Sequence, residues 1–120
     1  STDFGGNLAC STPKELLLMA LAGCTATDVV PILKKRRAPL QKLEISVKGT
    51  EREEHPRIFT DIHVEYVFYG DGLKTEDIER AIELSSTKYC SVSAILAASA
   101  LITHSYRIES SEMATTLAVR

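Results

Sequence analysis

The sequence lacks several features that would indicate a specific function. Its 14 basic and 16 acidic side chains nearly balance, at a net charge of −2, so no strong field attracts a phosphate backbone. The longest apolar run, from Leu16 to about Thr27, is shorter than the roughly 20 residues that cross a bilayer. We therefore expect neither a nucleic-acid partner nor a membrane span.

Motifs for metals, cofactors and secretion are missing as well. His55, His63 and His104 have no ligand spacing with one another or with the cysteines, so no metal site is predicted. Phosphate-binding loops and nucleophilic-serine patterns are absent, and no cofactor is expected. The first residues carry no basic segment before an apolar stretch, so we expect a cytoplasmic protein.

The composition is that of an ordinary folded protein. The 120 residues are 44% hydrophobic and 25% charged, which fits one domain with a modest core. We therefore predict a single domain over residues 1–120, with residues 109–120 as a frayed tail.

A long first helix is predicted from its amino-terminal signals. Thr12, Pro13 and Glu15 form a capping box with proline at the first helical position. The helix is predicted to continue past Pro31 to the cations at 34–37. Residues 16–22 are apolar at every position, so this helix should be central. A single chain of this size has too little other structure to cover a helix on all sides. We therefore predict that a second copy covers this helix, in a homodimer.

The rest of the chain alternates between strand and helix patterns. Alternation of apolar and polar residues predicts strands over 43–48 and 61–68, joined by a turn over 49–56 and paired as a hairpin. In the second strand the apolar face is made by Ile62, Val64, Tyr66 and Phe68. A second helix is predicted to start at residues 75–77, with Ile78, Ala81, Ile82, Leu84 and Tyr89 buried. A short third helix should begin at Cys90, and a strand over 101–108 should follow.

Cysteine chemistry is the strongest functional lead. Three cysteines are an odd number for a disulfide scaffold, and Cys24 and Cys90 both lie among small apolar residues. Because helix amino termini stabilise thiolates, Cys90 is predicted to be the more acidic thiol, whereas Cys24 needs a charged neighbour. Two inert core cysteines are the alternative reading, and the residues alone favour it. Cys10, in the loop before the first helix, is predicted to be a spectator.

Two segments resemble a known family. The sequence Ser-Thr-Pro-Lys-Glu-Leu-Leu-Leu-Met-Ala-Leu-Ala-Gly-Cys, residues 11–24, is similar to the first helix of the OsmC/Ohr thiol peroxidases. The sequence Lys-Tyr-Cys-Ser-Val-Ser, residues 88–93, resembles their second cysteine motif, with Ser91 in place of proline. The resemblance covers about residues 6–108. It implies an α+β fold in which central helices are wrapped by an antiparallel or mixed sheet, in an intertwined homodimer.

The resemblance also implies a mechanism. Cys24 would attack an organic hydroperoxide and become a sulfenic acid, Cys90 would resolve it as a disulfide, and a dithiol reductant, of lipoyl type in family members, would restore both thiols. An apolar substrate pocket is predicted from Leu17, Leu18, Leu21 and Val92. The alternative is an OsmC-like binding or redox-sensing protein that does not turn over peroxide.

Two polar positions of the family site differ here. Lys14 aligns with the family's active-site glutamate, and Glu15 follows one place later, so Glu15 is predicted either to replace that glutamate or only to cap the helix. The family's arginine comes from strands before this helix, and this sequence begins about where those strands would end. These departures, together with Ser91, favour the alternative without turnover.

Overall fold

The computed structural model describes residues 12–113, and the fold is α+β. Its regular elements follow in the order helix, two strands, two helices and a strand, as predicted. They are α1 (Pro13–Lys35), β1 (Lys42–Glu51), β2 (Phe59–Tyr69), α2 (Thr75–Leu84), a π-helical turn (Ser85–Tyr89), α3 (Ser91–Leu96) and β3 (Leu101–Glu109).

The three strands form one mixed sheet in the order β1-β2-β3. β1 pairs antiparallel with β2 as the predicted hairpin, and β3 lies parallel to β2 on its other side. The central β2 buries the four apolar side chains that the alternation predicted, Ile62, Val64, Tyr66 and Phe68. One face of the sheet thereby supplies much of the hydrophobic core.

Three local predictions were wrong. β1 continues through Gly49 to Glu51, so the turn is shorter than 49–56, because the ladder to β2 extends that far. Tyr89 is 53% exposed rather than buried, since the π-helical turn changes the winding after α2. Glu109 belongs to β3, and the Ser111 hydroxyl donates to the Asp71 carboxylate at 2.5 Å, so the predicted tail is anchored at its start. Residues 114–120 lie outside the described part of the chain.

α1 buries only one stripe. Leu21, Val29 and Leu33 have no exposed surface, whereas Leu16, Leu17 and other apolar residues of the same helix stay exposed in one chain. The expectation of a helix covered on all sides is therefore not met by one chain. By length and composition α1 would suffice to cross a membrane, and the core helix of a folded domain can have the same length and composition.

Candidate functional site

Folding brings the two predicted cysteines together. The sulfurs of Cys24 and Cys90 and a carboxylate oxygen of Asp28 all lie within 4.8 Å of one another. No disulfide joins the two cysteines, and Cys24 is half-buried whereas Cys90 is buried. The expectation that packing joins these two thiols is thus confirmed, while Cys10 lies outside the described residues.

α1 positions two members of this cluster. Cys24 and Asp28 are four residues apart, a spacing that places two side chains on the same face of a helix. Thr25, next to Cys24, is 2% exposed and belongs to the buried stripe of α1, and Cys24 and Asp28 lie half-buried beside that stripe. The sequence reasoning missed Asp28, although its position one turn after Cys24 was a signal that could have found it.

Cys90 lies at the junction between the π-helical turn and α3. It is the N-cap residue of α3, as predicted, and its sulfur accepts a hydrogen bond from the Ser93 amide at 3.3 Å. Its own amide donates to the carbonyl of Ser85 at 2.8 Å, five residues earlier, which is π-helical bonding. The junction therefore fixes Cys90 through both its backbone and its side chain.

Ser85 links the two sides of the site. Its hydroxyl donates to Asp28 Oδ2 on α1 at 3.0 Å, while its carbonyl accepts the Cys90 amide. Ser85 is 1% exposed, so both hydrogen bonds are formed away from bulk water, where an unmade bond would be costly. One buried residue thus ties the orientation of Asp28 to the position of Cys90.

The electrostatics at Cys90 correct one expectation. Burial has the largest effect and raises the pKa of Cys90, and the hydrogen bond with the Cys24 thiol raises it further. The Ser93 amide and the Thr25 hydroxyl act in the opposite direction, so the predicted help from the helix terminus is present but outweighed. Cys90 is therefore not the activated thiol that its N-cap position suggested, because desolvation of the thiolate dominates.

A buried tyrosine near Cys90 lies within hydrogen-bonding distance of a histidine. The Tyr66 hydroxyl lies 2.9 Å from His104 Nδ1, and burial followed by the charge of a Cys90 thiolate raises the pKa of Tyr66. Burial, and next the charge of His63, lower the pKa of His104, so its neutral form is favoured. The sequence analysis identified Tyr66 only as a core residue, because alternation along a strand does not show which polar group its hydroxyl meets.

Glu15 forms the predicted capping box. Its Oε1 accepts a hydrogen bond from the Thr12 amide at 3.0 Å, and its own amide donates to Thr12 Oγ1 at 3.2 Å. These hydrogen bonds lower the pKa of Glu15. Because Glu15 and Cys24 are nine residues apart, they are separated by about 13 Å along the helix axis. Within one chain the structure therefore does not bring Glu15 to the thiols.

Lys14 and Ser91, the other two departures from the family pattern, have local roles. Lys14 Nζ lies 2.7 Å from Glu51 Oε2 and donates to the Arg57 carbonyl at 3.3 Å. Ser91 is the first residue of α3, directly after the capping Cys90. Lys14 thereby joins the start of α1 to the end of β1.

The four predicted pocket residues are distributed over different surroundings. Leu21 is fully buried in the core, and Leu18 and Val92 pack against the same core cluster, as does Cys24. Leu17 lines a cavity of about 350 Å³ near Ile58, and Leu18 lines a larger one of about 540 Å³ with Glu15. Among the described residues, the linings of these two cavities include neither cysteine, and the substrate pocket stays a prediction.

Known proteins are similar to this chain in sequence and in fold. Residues 5–105 match the family model described as OsmC-like protein. Protein YhfA of Escherichia coli is 43% identical over 97 residues, which cover 81% of this chain and 72% of YhfA. A hypothetical protein from Aquifex aeolicus superposes with a TM-score of 0.79 at 37% identity, covering 82% of this chain and 74% of that one.

A more distant structure shows the fold alone. The organic hydroperoxide resistance protein OsmC from Legionella pneumophila has a TM-score of 0.66 at 13% identity, over 88% of this chain and 76% of that chain. The family model nevertheless covers most of this sequence, including both cysteine motifs. The chain therefore belongs to the OsmC-like protein family.

Proposed function

We propose that this protein reduces organic hydroperoxides through Cys24 and Cys90. The observation that carries the proposal is the pair of unbridged sulfurs within 4.8 Å of each other, one half-buried and one buried. A peroxide can approach the half-buried Cys24 more easily than Cys90, which supports Cys24 as the attacking thiol. Cys90 then lies close enough to resolve the product after a local shift, since a disulfide needs sulfurs about 2 Å apart.

The proposed reaction has two steps. The Cys24 thiolate attacks one oxygen of the hydroperoxide, the O–O bond breaks, and the other oxygen leaves as the alcohol after taking a proton. Cys24 is then a sulfenic acid. The Cys90 sulfur attacks the Cys24 sulfur, the S–O bond breaks, and water leaves with the proton of the Cys90 thiol. The two thiols have supplied two electrons, and the product is a Cys24–Cys90 disulfide.

A dithiol reductant completes the proposed cycle. Thiol–disulfide exchange transfers two electrons and two protons to the cysteines and leaves the reductant as a disulfide. A lipoyl-type dithiol is the reductant we propose, in line with the family resemblance. Such a cycle needs a compartment in which thiols are kept reduced, so the cytoplasm is the location we propose.

An apolar substrate suits the surroundings of the thiols. Leu18, Leu21 and Val92 belong to the same hydrophobic cluster that Cys24 packs against, and Leu17 extends the apolar surface of α1. An alkyl or aryl hydroperoxide would bury its organic group against such residues. Glu15 is proposed to orient the peroxide from the second copy of a dimer, because within one chain it lies about 13 Å along α1 from Cys24; its carboxylate must then serve the substrate as well as the Thr12 amide.

A homodimer is part of the proposal. Leu16, Leu17 and Met19 are 53%, 46% and 57% exposed on one turn of α1. Exposed apolar side chains so close together are typical of a protein interface. A second copy packed against α1 would cover them and would also restrict access to Cys24. Sedimentation equilibrium of the reduced protein tests this part of the proposal, and a monomer at micromolar concentration would contradict it.

Thiol titration after peroxide addition tests the reaction. We expect reduced protein mixed with excess cumene hydroperoxide to lose two thiols per chain, and Cys24→Ser to abolish disulfide formation. Cys90→Ser should stop at a Cys24 sulfenic acid, which dimedone traps. Cys10→Ser is the matched control and should behave like the wild type. Continued peroxide consumption with dihydrolipoamide would show turnover.

A binding or redox-sensing protein without turnover is the second candidate. One observation favours it: burial raises the pKa of Cys90, which disfavours the thiolate needed for rapid exchange. Thiols that survive excess peroxide would exclude the peroxidase. Loss of two thiols per chain without continued peroxide consumption in the presence of dihydrolipoamide would favour the sensor.

A further inference from the structure

The cluster at the thiols has the composition of a metal site. Two sulfurs and a carboxylate oxygen lie within 4.8 Å of one another, and they come from α1 and from the start of α3. We infer that Cys24, Cys90 and Asp28 form a binding site for Zn²⁺. The site needs only these three side chains, so the inference does not depend on peroxide turnover.

The ligand spacing suits a small tetrahedral ion. Zinc bonds of about 2.3 Å to sulfur and about 2.0 Å to oxygen place neighbouring ligand atoms about 3.5–3.8 Å apart. Atoms already within 4.8 Å would need to close by only about 1 Å, which side-chain rotation supplies. Cys24 and Asp28 are on one face of α1, so two of the three ligands are preset by the helix.

The ligand types favour zinc over calcium and magnesium. Calcium and magnesium prefer sets made wholly of oxygen ligands, whereas two thiolates favour a softer ion. Zinc accepts a mixed set of sulfur and carboxylate ligands in four-coordinate geometry. Three protein ligands leave a fourth position for a water molecule or a small thiol. The histidine spacing considered from the sequence could not reveal this site, because none of its ligands is a histidine.

Ser85 would act as the outer support of the site. Its hydroxyl holds Asp28 Oδ2 at 3.0 Å, and a carboxylate has a second oxygen with which to bind the metal. Its carbonyl holds the Cys90 amide at 2.8 Å, so the same residue orients a ligand on each side. Outer groups that orient metal ligands typically change affinity about 10–100-fold when removed. Ser85 is therefore a positioning residue in this proposal.

Metal binding and disulfide formation exclude each other. A zinc ion held by both sulfurs occupies the electron pairs that would attack the peroxide and then close the disulfide. Zinc would thus protect the thiols from oxidation, and an oxidised pair would no longer bind zinc. The measurable consequence is that added zinc slows the loss of thiols to diamide, a disulfide-forming oxidant that requires no peroxidase activity.

Zinc affinity is measured on untagged, reduced protein by competition with a chromogenic chelator. We expect one zinc per chain, at least about hundredfold weaker binding for Cys24→Ser and for Cys90→Ser, and about tenfold weaker binding for Asp28→Asn. Asp61→Asn is the matched control. Like Asp28, Asp61 accepts a hydrogen bond from a side-chain hydroxyl, here that of Thr60 at 2.9 Å. Tyr66 is near Cys90, and Asp61 lies five residues away from Tyr66 on β2, about 17 Å along the strand. Asp61→Asn should therefore bind zinc as tightly as the wild type.

Two further measurements separate the site from nonspecific binding. Cobalt added in place of zinc should give a thiolate-to-metal charge-transfer band and the visible absorption bands of tetrahedral geometry. This measurement uses the wild-type protein, so it does not depend on a variant that folds poorly. Ser85→Ala should weaken binding about tenfold while Cys10→Ser leaves it unchanged. Wild-type affinity in Asp28→Asn, loss of binding in Cys10→Ser, or cobalt binding without a thiolate band would overturn the proposal. Loss of thiols to peroxide is measured separately, in metal-free protein. The zinc-site proposal and the peroxidase proposal can therefore each fail without the other.

Discussion

A Cys24–Cys90 disulfide should stabilise the fold by closing a long loop. The bond would enclose about 67 residues, for which loss of entropy in the unfolded chain predicts about 4 kcal/mol of stabilisation at 25 °C. Moving the Cys90 sulfur toward Cys24 would weaken its hydrogen bond from the Ser93 amide, at a cost of about 1 kcal/mol. We therefore expect the oxidised protein to be more stable than the reduced protein by about 3 kcal/mol.

Guanidinium unfolding of the two redox forms measures this difference. Protein oxidised with diamide and protein kept in dithiothreitol are unfolded in parallel, and the free energies are obtained by linear extrapolation. Diamide makes the result independent of peroxide turnover, and peptide mapping under nonreducing conditions verifies the bond. Cys90→Ser is the control and should show no change with diamide. Equal stability of the two forms, with the bond verified, would refute the reasoning about loop closure.

Three other predictions concern the surroundings of the site. Thr12→Ala removes the side-chain cap of α1 and should lower the unfolding free energy by about 1 kcal/mol, with a Thr12→Ser control close to wild type. Leu21→Ala leaves a cavity in the core and should cost about 2–5 kcal/mol by denaturant unfolding, whereas Leu21→Met should cost less than about 1.5 kcal/mol. The folded-state pKa of His104 is lowered, so its stabilising contribution is complete above the unfolded pKa and is lost as the pH falls through the folded value. His104→Gln should therefore flatten the fall in stability below about pH 6.5, and exposed His55→Gln should not; equal pH profiles for wild type and His104→Gln would contradict this.

Local signals predicted the elements well. The capping box at Thr12 and Glu15 and the alternation along β2 depend on neighbouring residues, and both were confirmed. The mixed sheet was implied by the family resemblance, and the parallel pairing of β3 with β2 could not be derived from either strand alone. The exposed face of α1 shows the same limit, because an apolar run does not reveal how much cover one chain supplies.

The site was predicted only in part. The cysteine motifs correctly indicated that Cys24 and Cys90 meet, but local reasoning gave the wrong direction for the pKa of Cys90. Its amide contact with Ser93 is local, whereas the burial that outweighs it comes from the packing of distant elements. Ser85 was missed for the same reason, since its hydrogen bond to Asp28 joins residues 57 positions apart.

The π-helical turn makes the number of residues before Cys90 matter. An α-helix advances about 100° per residue, so removing one residue from Ser85–Tyr89 would rotate everything after it by about that angle. Cys90 would then face away from α1 although every amino acid of its motif was intact. Variation in loop length is harmless in many proteins, but here a single insertion or deletion would uncouple the two sulfurs. The pairing is thus encoded in the count of residues as much as in their identity.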